Sequence, residues 1–254
     1  MATIVEMINP LTGLPEQVDQ LDHTAQEIDD AVDLAPQLSN PNLLDNWYFG
    51  NPINQRGQTS YTGVGYGIDR WRIGSAGTLT IEDGYITFAS SDATLRNLEQ
   101  VLETLEVGKY TISLLAENAA GTNLIIGLVS GFTSATISTN EKQVVSLTFD
   151  VTTKTSGTVY IQTGNSQIKL YAAKLELGSQ QTLAHQDENG NWVLNEIPDY
   201  GEQLARCQRY FQLYSSANLR PAKAVDCRPV MRADPAQSTI VVNSTTYYYN
   251  TADL

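Results

Sequence analysis

Between Leu43 and Leu177 the chain is cut into short apolar runs by small and turn-forming residues, and that pattern leaves few folds open. The runs are Leu43–Phe49, Ile68–Ile73, Thr78–Glu82, Tyr85–Ala89, Leu95–Leu102, Lys109–Glu117, Leu124–Val129, Gln143–Phe149, Thr158–Thr163 and Ile168–Leu177. Turn signals such as Glu82-Asp83-Gly84, Val107-Gly108, Ala120-Gly121-Thr122 and Thr163-Gly164-Asn165 separate them. Several runs alternate, as in Tyr110, Ile112 and Leu114 against Lys109, Thr111 and Ser113. A period of two puts one face of a strand in a core and the other in water, the habit of antiparallel sheets. Ten strands in roughly 135 residues is the size of a jelly-roll β-sandwich.

A different period governs the N-terminal segment. Leu14, Val18, Leu21, Ala25, Ile28, Val32 and Ala35 follow one another at spacings of four and three. That is a heptad seam with Val18, Ala25 and Val32 at a, and Leu14, Leu21, Ile28 and Ala35 at d. Pro15 suits a first helical turn and Pro36 ends the helix. The pattern predicts a helix of roughly 20 residues, about 30 Å long. So narrow a stripe suits a partner helix, so copies of the chain are expected to meet along it. The alternative is one amphipathic helix packed on its own domain. Val at a and Leu at d favour dimers while Ile28 at d does not, so the seam leaves the copy number open.

Charge adds to this. The net charge is −13, which argues against binding to nucleic-acid phosphates. Residues 1–55 hold nine acids and no Lys or Arg. Bundling such segments gathers negative charge, a cost that salt screens. No run approaches 18 apolar residues, and no basic-then-apolar leader opens the chain, so neither a membrane span nor a secretory signal is expected.

The expected organisation has three parts: an attachment segment and heptad helix over 1–39, the sandwich over 40–178, and a connector, helix and small β-rich tail over 179–254. His185–Val193 reads as a hairpin with Asn189-Gly190 at its tip. Pro198 opens a helix over Asp199–Leu213, and Thr239–Asn243 and Thr245–Asn250 are the strand runs of the tail. Cys207 and Cys227 are too few for a disulfide framework or a four-cysteine metal site. Each reads as a buried thiol, with a bridge between them the alternative.

Catalytic patterns are absent from the sequence. The two histidines, His23 and His185, stand far from any Gly-x-Ser-x-Gly run, and no metal-ligand spacing or phosphate loop occurs. No enzyme activity, catalytic residue, metal or cofactor is therefore expected. The densest aromatic group is Trp47, Tyr48, Phe49, Tyr61, Tyr66 and Trp71. Such rings either stack on sugar faces, with Asn and Gln bonding the hydroxyls, or fill a core. Tyr61 and Tyr66, in a Gly-rich loop, and Trp47 and Trp71 are the candidate glycan contacts. Arg56, Asp69 and Arg70 are candidates for an ion pair that pins the loop after the first strand.

Three longer runs carry a resemblance. Asn42-Leu43-Leu44-Asp45-Asn46-Trp47-Tyr48-Phe49 leads into Asn51-Pro52-Ile53-Asn54-Gln55-Arg56-Gly57. Tyr61-Thr62 and Gly65-Tyr66-Gly67-Ile68-Asp69-Arg70-Trp71 follow. Tyr200-Gly201-Glu202-Gln203-Leu204-Ala205-Arg206-Cys207-Gln208-Arg209-Tyr210-Phe211 closes the set, with Ala173-Lys174-Leu175-Glu176-Leu177-Gly178 a weaker match. Together they resemble phage and prophage tail-fibre or appendage proteins. The resemblance implies a jelly roll like those of carbohydrate-binding modules, carried in a homotrimeric virion fibre. Its implied partners are two further copies of itself, other virion proteins at the N-terminus, and host-surface glycan. Such fibres often continue further after the last run, whereas only Gln212–Leu254 follow here. Recognition then falls to the sandwich, or the chain is a shorter appendage such as a head fibre. The residues leave two alternatives: a stand-alone carbohydrate-binding protein, and a structural virion decoration without ligand.

Overall fold

A computed structural model describes residues 4–8, 15–19, 40–90, 95–164, 167–242 and 244–252. It divides into two compact units, Met1–Leu38 and Ser39–Leu254. In the first, β1 (Ile4–Ile8) pairs antiparallel with β2 (Pro15–Asp19), Val5 opposite Val18. The start of the expected heptad helix is therefore a strand. Ile4, Val5, Met7 and Ile8, within what reads as a polar lead, supply a β partner that heptad spacing ignores. The other seam residues, Leu14, Leu21, Ala25, Ile28, Val32 and Ala35, lie outside the described residues.

The second unit is built on two antiparallel six-stranded sheets. Its strands are β3 (Ser60–Thr62), β4 (Gly65–Tyr66), β5 (Arg72–Ile73), β6 (Thr78–Glu82), β7 (Tyr85–Ala89) and β8 (Arg96–Val101). β9 (Gly108–Glu117), β10 (Asn123–Leu128), β11 (Gly131–Thr136), β12 (Gln143–Val151), β13 (Gly157–Thr163) and β14 (Gln167–Leu177) complete them. The first sheet runs β12-β9-β14-β7-β6-β3 and the second β11-β10-β13-β8-β5-β4. From β8 to β14 the chain passes repeatedly between the sheets, as in a jelly roll. Period-two patterning places the core face, but Thr111 and Ser113 of β9, expected in water, are buried as well. Tyr110, Ile112 and Leu114 of β9 stand opposite Phe149, Leu147 and Val145 of β12, and the β9 residues are buried. Facing strands contribute Leu98, Leu124, Ile126, Val159 and Ile161, all fully buried.

Leu43–Phe49 is not the regular first strand that its apolar run suggests. It follows β14 through Leu43 N–H to Leu175 O (2.8 Å), Ala173 N–H to Trp47 O (3.0 Å) and Phe49 N–H to Tyr171 O (2.9 Å). Asn46 breaks it by taking a left-handed φ of 52°. Its side chain is the reason: the amide donates to Ile53 O and Asp69 O and accepts from Ile53 N–H. Asn has a short side chain that can bond locally, which makes that conformation tolerable. Of the expected strand Ile68–Ile73, only Arg72–Ile73 is regular.

A hairpin, β15 (Ala184–Gln186) with β16 (Trp192–Leu194), follows the sandwich as expected, with Gly190 at φ 78° in its tip. The helix α1 spans Tyr200–Gln208 and is capped by the Asp199 carboxylate, which accepts from Glu202 N–H. It ends before the expected Leu213, because Phe211–Tyr214 forms β17. β17 pairs with β19 (Thr245–Thr251), and β19 with β18 (Ala236–Val242). Cys207 and Cys227 are both free and buried.

Candidate ligand-binding face

The register of the second sheet assembles a site on its outer face. Leu98, Val159, Ile161, Leu124 and Ile126 point into the core, so their neighbours point out. Three rows cross the sheet. Glu99, Tyr160, Ile125 and Ser134 are opposite one another, as are Asn97, Gln162, Asn123 and Thr136, and Val101, Thr158, Gly127 and Phe132.

The row through Gly127 sets the aromatic part. Phe132 is 76 % exposed, and its ring lies 6.3 Å from the Tyr160 ring. Both rings lean over Gly127: a Cβ there would stand 2.8 Å from Phe132 Cε1 and 3.1 Å from Tyr160 Cε2. Glycine therefore makes the room that the pair occupies. The adjacent row is a chain of side-chain hydrogen bonds. Gln162 Nε2 donates to Asn97 Oδ1 (2.9 Å), Asn123 Nδ2 to Gln162 Oε1 (3.3 Å), and Thr136 Oγ1 to Asn123 Oδ1 (2.7 Å). A primary amide has two N–H donors and two carbonyl lone pairs, so each retains capacity beyond these bonds. The charged pair on this face, Arg72 with Glu99, is closed on itself. Aromatic rings beside fixed amides, without surplus charge, suit a neutral, hydroxyl-rich ligand with apolar C–H faces.

The residues singled out from sequence fall elsewhere. Trp47 and Trp71 are core residues, 3 % and 0 % exposed, and offer no ring face to a ligand. Trp71 packs edge-on against Phe49 at 5.2 Å and donates its indole N–H to Asn46 O. Tyr61 is also buried. Its hydroxyl bonds Asn54 Oδ1 and accepts from Gln58 N–H, and burial raises its pKa. Tyr66 is half-buried beside Arg56, whose guanidinium carbon is 5.2 Å from its ring centre.

Arg56 and Asp69 pair at 2.8 Å, as expected, but Arg70 pairs with Asp45 at 3.0 Å instead. Each arginine also covers an aromatic ring of the closing run. Arg56 lies 4.0 Å over Phe211 and Arg70 3.6 Å over Tyr210. Arg206 of α1 completes the lock by pairing with the other oxygen of Asp45 at 2.7 Å. These residues hold the C-terminal elements to the sandwich. No group of three or more His, Cys, Asp or Glu side chains able to hold a metal occurs among the described residues.

Tyr160 was within reach of sequence reasoning, because it is the outward residue between Val159 and Ile161. Phe132 was not. It sits in Gly131–Thr136, a run without apolar alternation whose strand nature comes from pairing to β10.

No protein-family profile matches the chain, and no curated protein matches it. Similar solved structures include carbohydrate-binding modules. The apo structure of BiXyn10A CBM1 is 18 % identical over 55 % of this chain and 100 % of that one, with a TM-score of 0.37. TmCBM61, solved with β-1,4-galactotriose, is 13 % identical over 54 % of this chain and 99 % of that one, at 0.30. The enzymatically active domain of tailspike protein 4 from bacteriophage CBA120 is 12 % identical over 54 % of this chain, at 0.36, and this chain spans 21 % of it.

Proposed function

We propose that this chain binds carbohydrate without transforming it, through the outer face of the second sheet, as one subunit of a homotrimeric virion appendage. The observation that carries the binding reading is the solvent-open Phe132–Tyr160 pair bordered by the Asn97–Gln162–Asn123 amides. Sugar C–H faces stack on the rings while the amides bond ring hydroxyls. The appendage reading rests on the runs that resemble phage fibre proteins and on the part of the heptad spacing beyond β2, from Leu21 to Ala35. Three copies on one axis would turn weak single sites into useful avidity on a glycan-coated surface.

A glycan array probed with the wild-type chain, Phe132→Ala and Tyr160→Ala tests the binding. Wild type is expected to bind a defined glycan set, and each variant to lose at least tenfold, about 1.4 kcal/mol. Undiminished binding by both variants removes the face from the mechanism. Light scattering tests the assembly. The expected particle is three 27.8 kDa chains, about 83 kDa in a closed cyclic arrangement. A monomer that binds sugar would make this a stand-alone binding protein. A trimer binding no glycan would make it a structural decoration.

A further inference from the structure

Tyr66 and Phe211 also meet in a cleft that the open face does not use. Where the C-terminal sheet closes over the loop from Asn54 to Tyr66, a cavity of about 500 Å³ remains. The residues around it include the half-buried Tyr66 and Tyr249, with Arg56 among them and the buried Tyr61 and Phe211 behind. Gln58 and Thr239 contribute polar groups to the lining. Pockets of this size and aromatic character take small ligands, with a few polar groups fixing orientation.

The charge at the cleft selects the ligand. Arg56 is the charged residue in the lining, and it is matched by Asp69 at 2.8 Å and stacked on Phe211 at 4.0 Å. Bringing in an anion would compete with an ion pair that is already buried, so the cleft favours a neutral guest. The rings are also fixed in advance. The Tyr61 hydroxyl is held by Asn54 and by Gln58 N–H, and Tyr249 packs on Phe211 at 5.0 Å. Immobile rings cost a ligand little ordering entropy. The half-buried Tyr66 and Tyr249, hydroxyl and amide groups at the lining, and no unmatched charge describe a site for sugar rings.

We infer that this cleft is a second carbohydrate site, taking the end of a short neutral oligosaccharide. The inference rests on the reading of the chain as a carbohydrate binder. It differs in place, since the cleft depends on β17, β18 and β19 and the open face does not.

The test is a calorimetric titration of the full chain with cellotriose, β-1,4-galactotriose and chitotriose. It compares wild type, Phe132→Ala, Tyr66→Ala and Thr239→Trp. Thr239 is exposed at the cleft, so Trp there plugs the cavity without entering a core. Wild type is expected to take two sugars per chain. Phe132→Ala should keep one, and Tyr66→Ala and Thr239→Trp should each lose the other by at least tenfold. If Phe132→Ala abolishes all binding, the cleft is overturned and the face stands. If Thr239→Trp abolishes all binding and Phe132→Ala changes nothing, the cleft stands and the face falls. Binding of none of the three sugars overturns the cleft.

Discussion

The outer faces of the two sheets begin from the same alternating sequence and meet different surroundings. On the first sheet, Lys174 and Glu176 of β14 point outward by register, yet both are fully buried. The connector covers them. Lys174 Nζ reaches Glu196 at 2.9 Å and Glu176 at 3.6 Å, and Glu176 accepts from Thr182 N–H at 2.7 Å. On the second sheet, Tyr160, Ile125 and Gln162 occupy equivalent outward positions and stay half-exposed, with no segment among the described residues of the second unit sealing them. The comparison teaches that an outward charge paired under a cover serves cohesion. Outward rings and amides without a cover are free to serve recognition.

The largest expected effect breaks the covered face. Lys174→Ala leaves Glu176 buried without its cation, and removing one partner of a buried pair costs about 3–5 kcal/mol. Urea unfolding should show a lower midpoint at unchanged slope. A loss below about 1 kcal/mol would mean the connector does not seal this face. The next effect is on the open face. Gly127→Ala drives a methyl into the space between Phe132 and Tyr160. The rings must part, at about 1 kcal/mol of stability because Phe132 can swing into water. Sugar affinity should fall at least tenfold, and intact affinity would show that the paired geometry is unnecessary.

Acid separates the faces further. The hairpin that covers the first sheet turns at Asp187, whose carboxylate accepts from the N–H groups of Asn189 and Asn191. The bond from Asn191 N–H does most to hold its pKa below the ordinary 3.8. A depressed carboxylate pKa gives stability that is present above the unfolded value and lost as pH falls through the folded one. Trp192 packs beside this turn against the core, while Trp47 and Trp71 are sealed. Tryptophan emission should therefore shift below pH 3.8, and Asp187→Asn should remove that step. An identical acid profile for the variant would place the sensitivity elsewhere.

The covered face was the more legible of the two. Thr78–Glu82 and Tyr85–Ala89 follow directly from alternation and the Asp83-Gly84 turn, and their ends match the structure. What escaped depends on partners that no local period encodes. β11 is a strand because β10 offers it an edge, and its side chains stay largely exposed. The helix stops at Gln208 because Arg70 and Arg56, far back in the chain, hold Tyr210 and Phe211. The aromatic density around Trp47 and Trp71 was visible but ambiguous, since the same rings that stack on sugars also fill cores. The Phe132 site needed the register of four strands at once.

The smallest expected change in stability is the most informative. Phe132 is mostly in water, and substitutions of exposed residues away from caps and buried networks usually stay within about 0.5 kcal/mol. Phe132→Ala should then unfold at nearly the wild-type denaturant concentration. Tyr160 would remain in place, because its strand is paired on both sides by β10 and β8. If the variant loses sugar binding while keeping its midpoint, the ring is there for a ligand. If it loses more than about 1 kcal/mol instead, Phe132 is a packing residue. The open face would then differ from the covered one only in how completely it is closed.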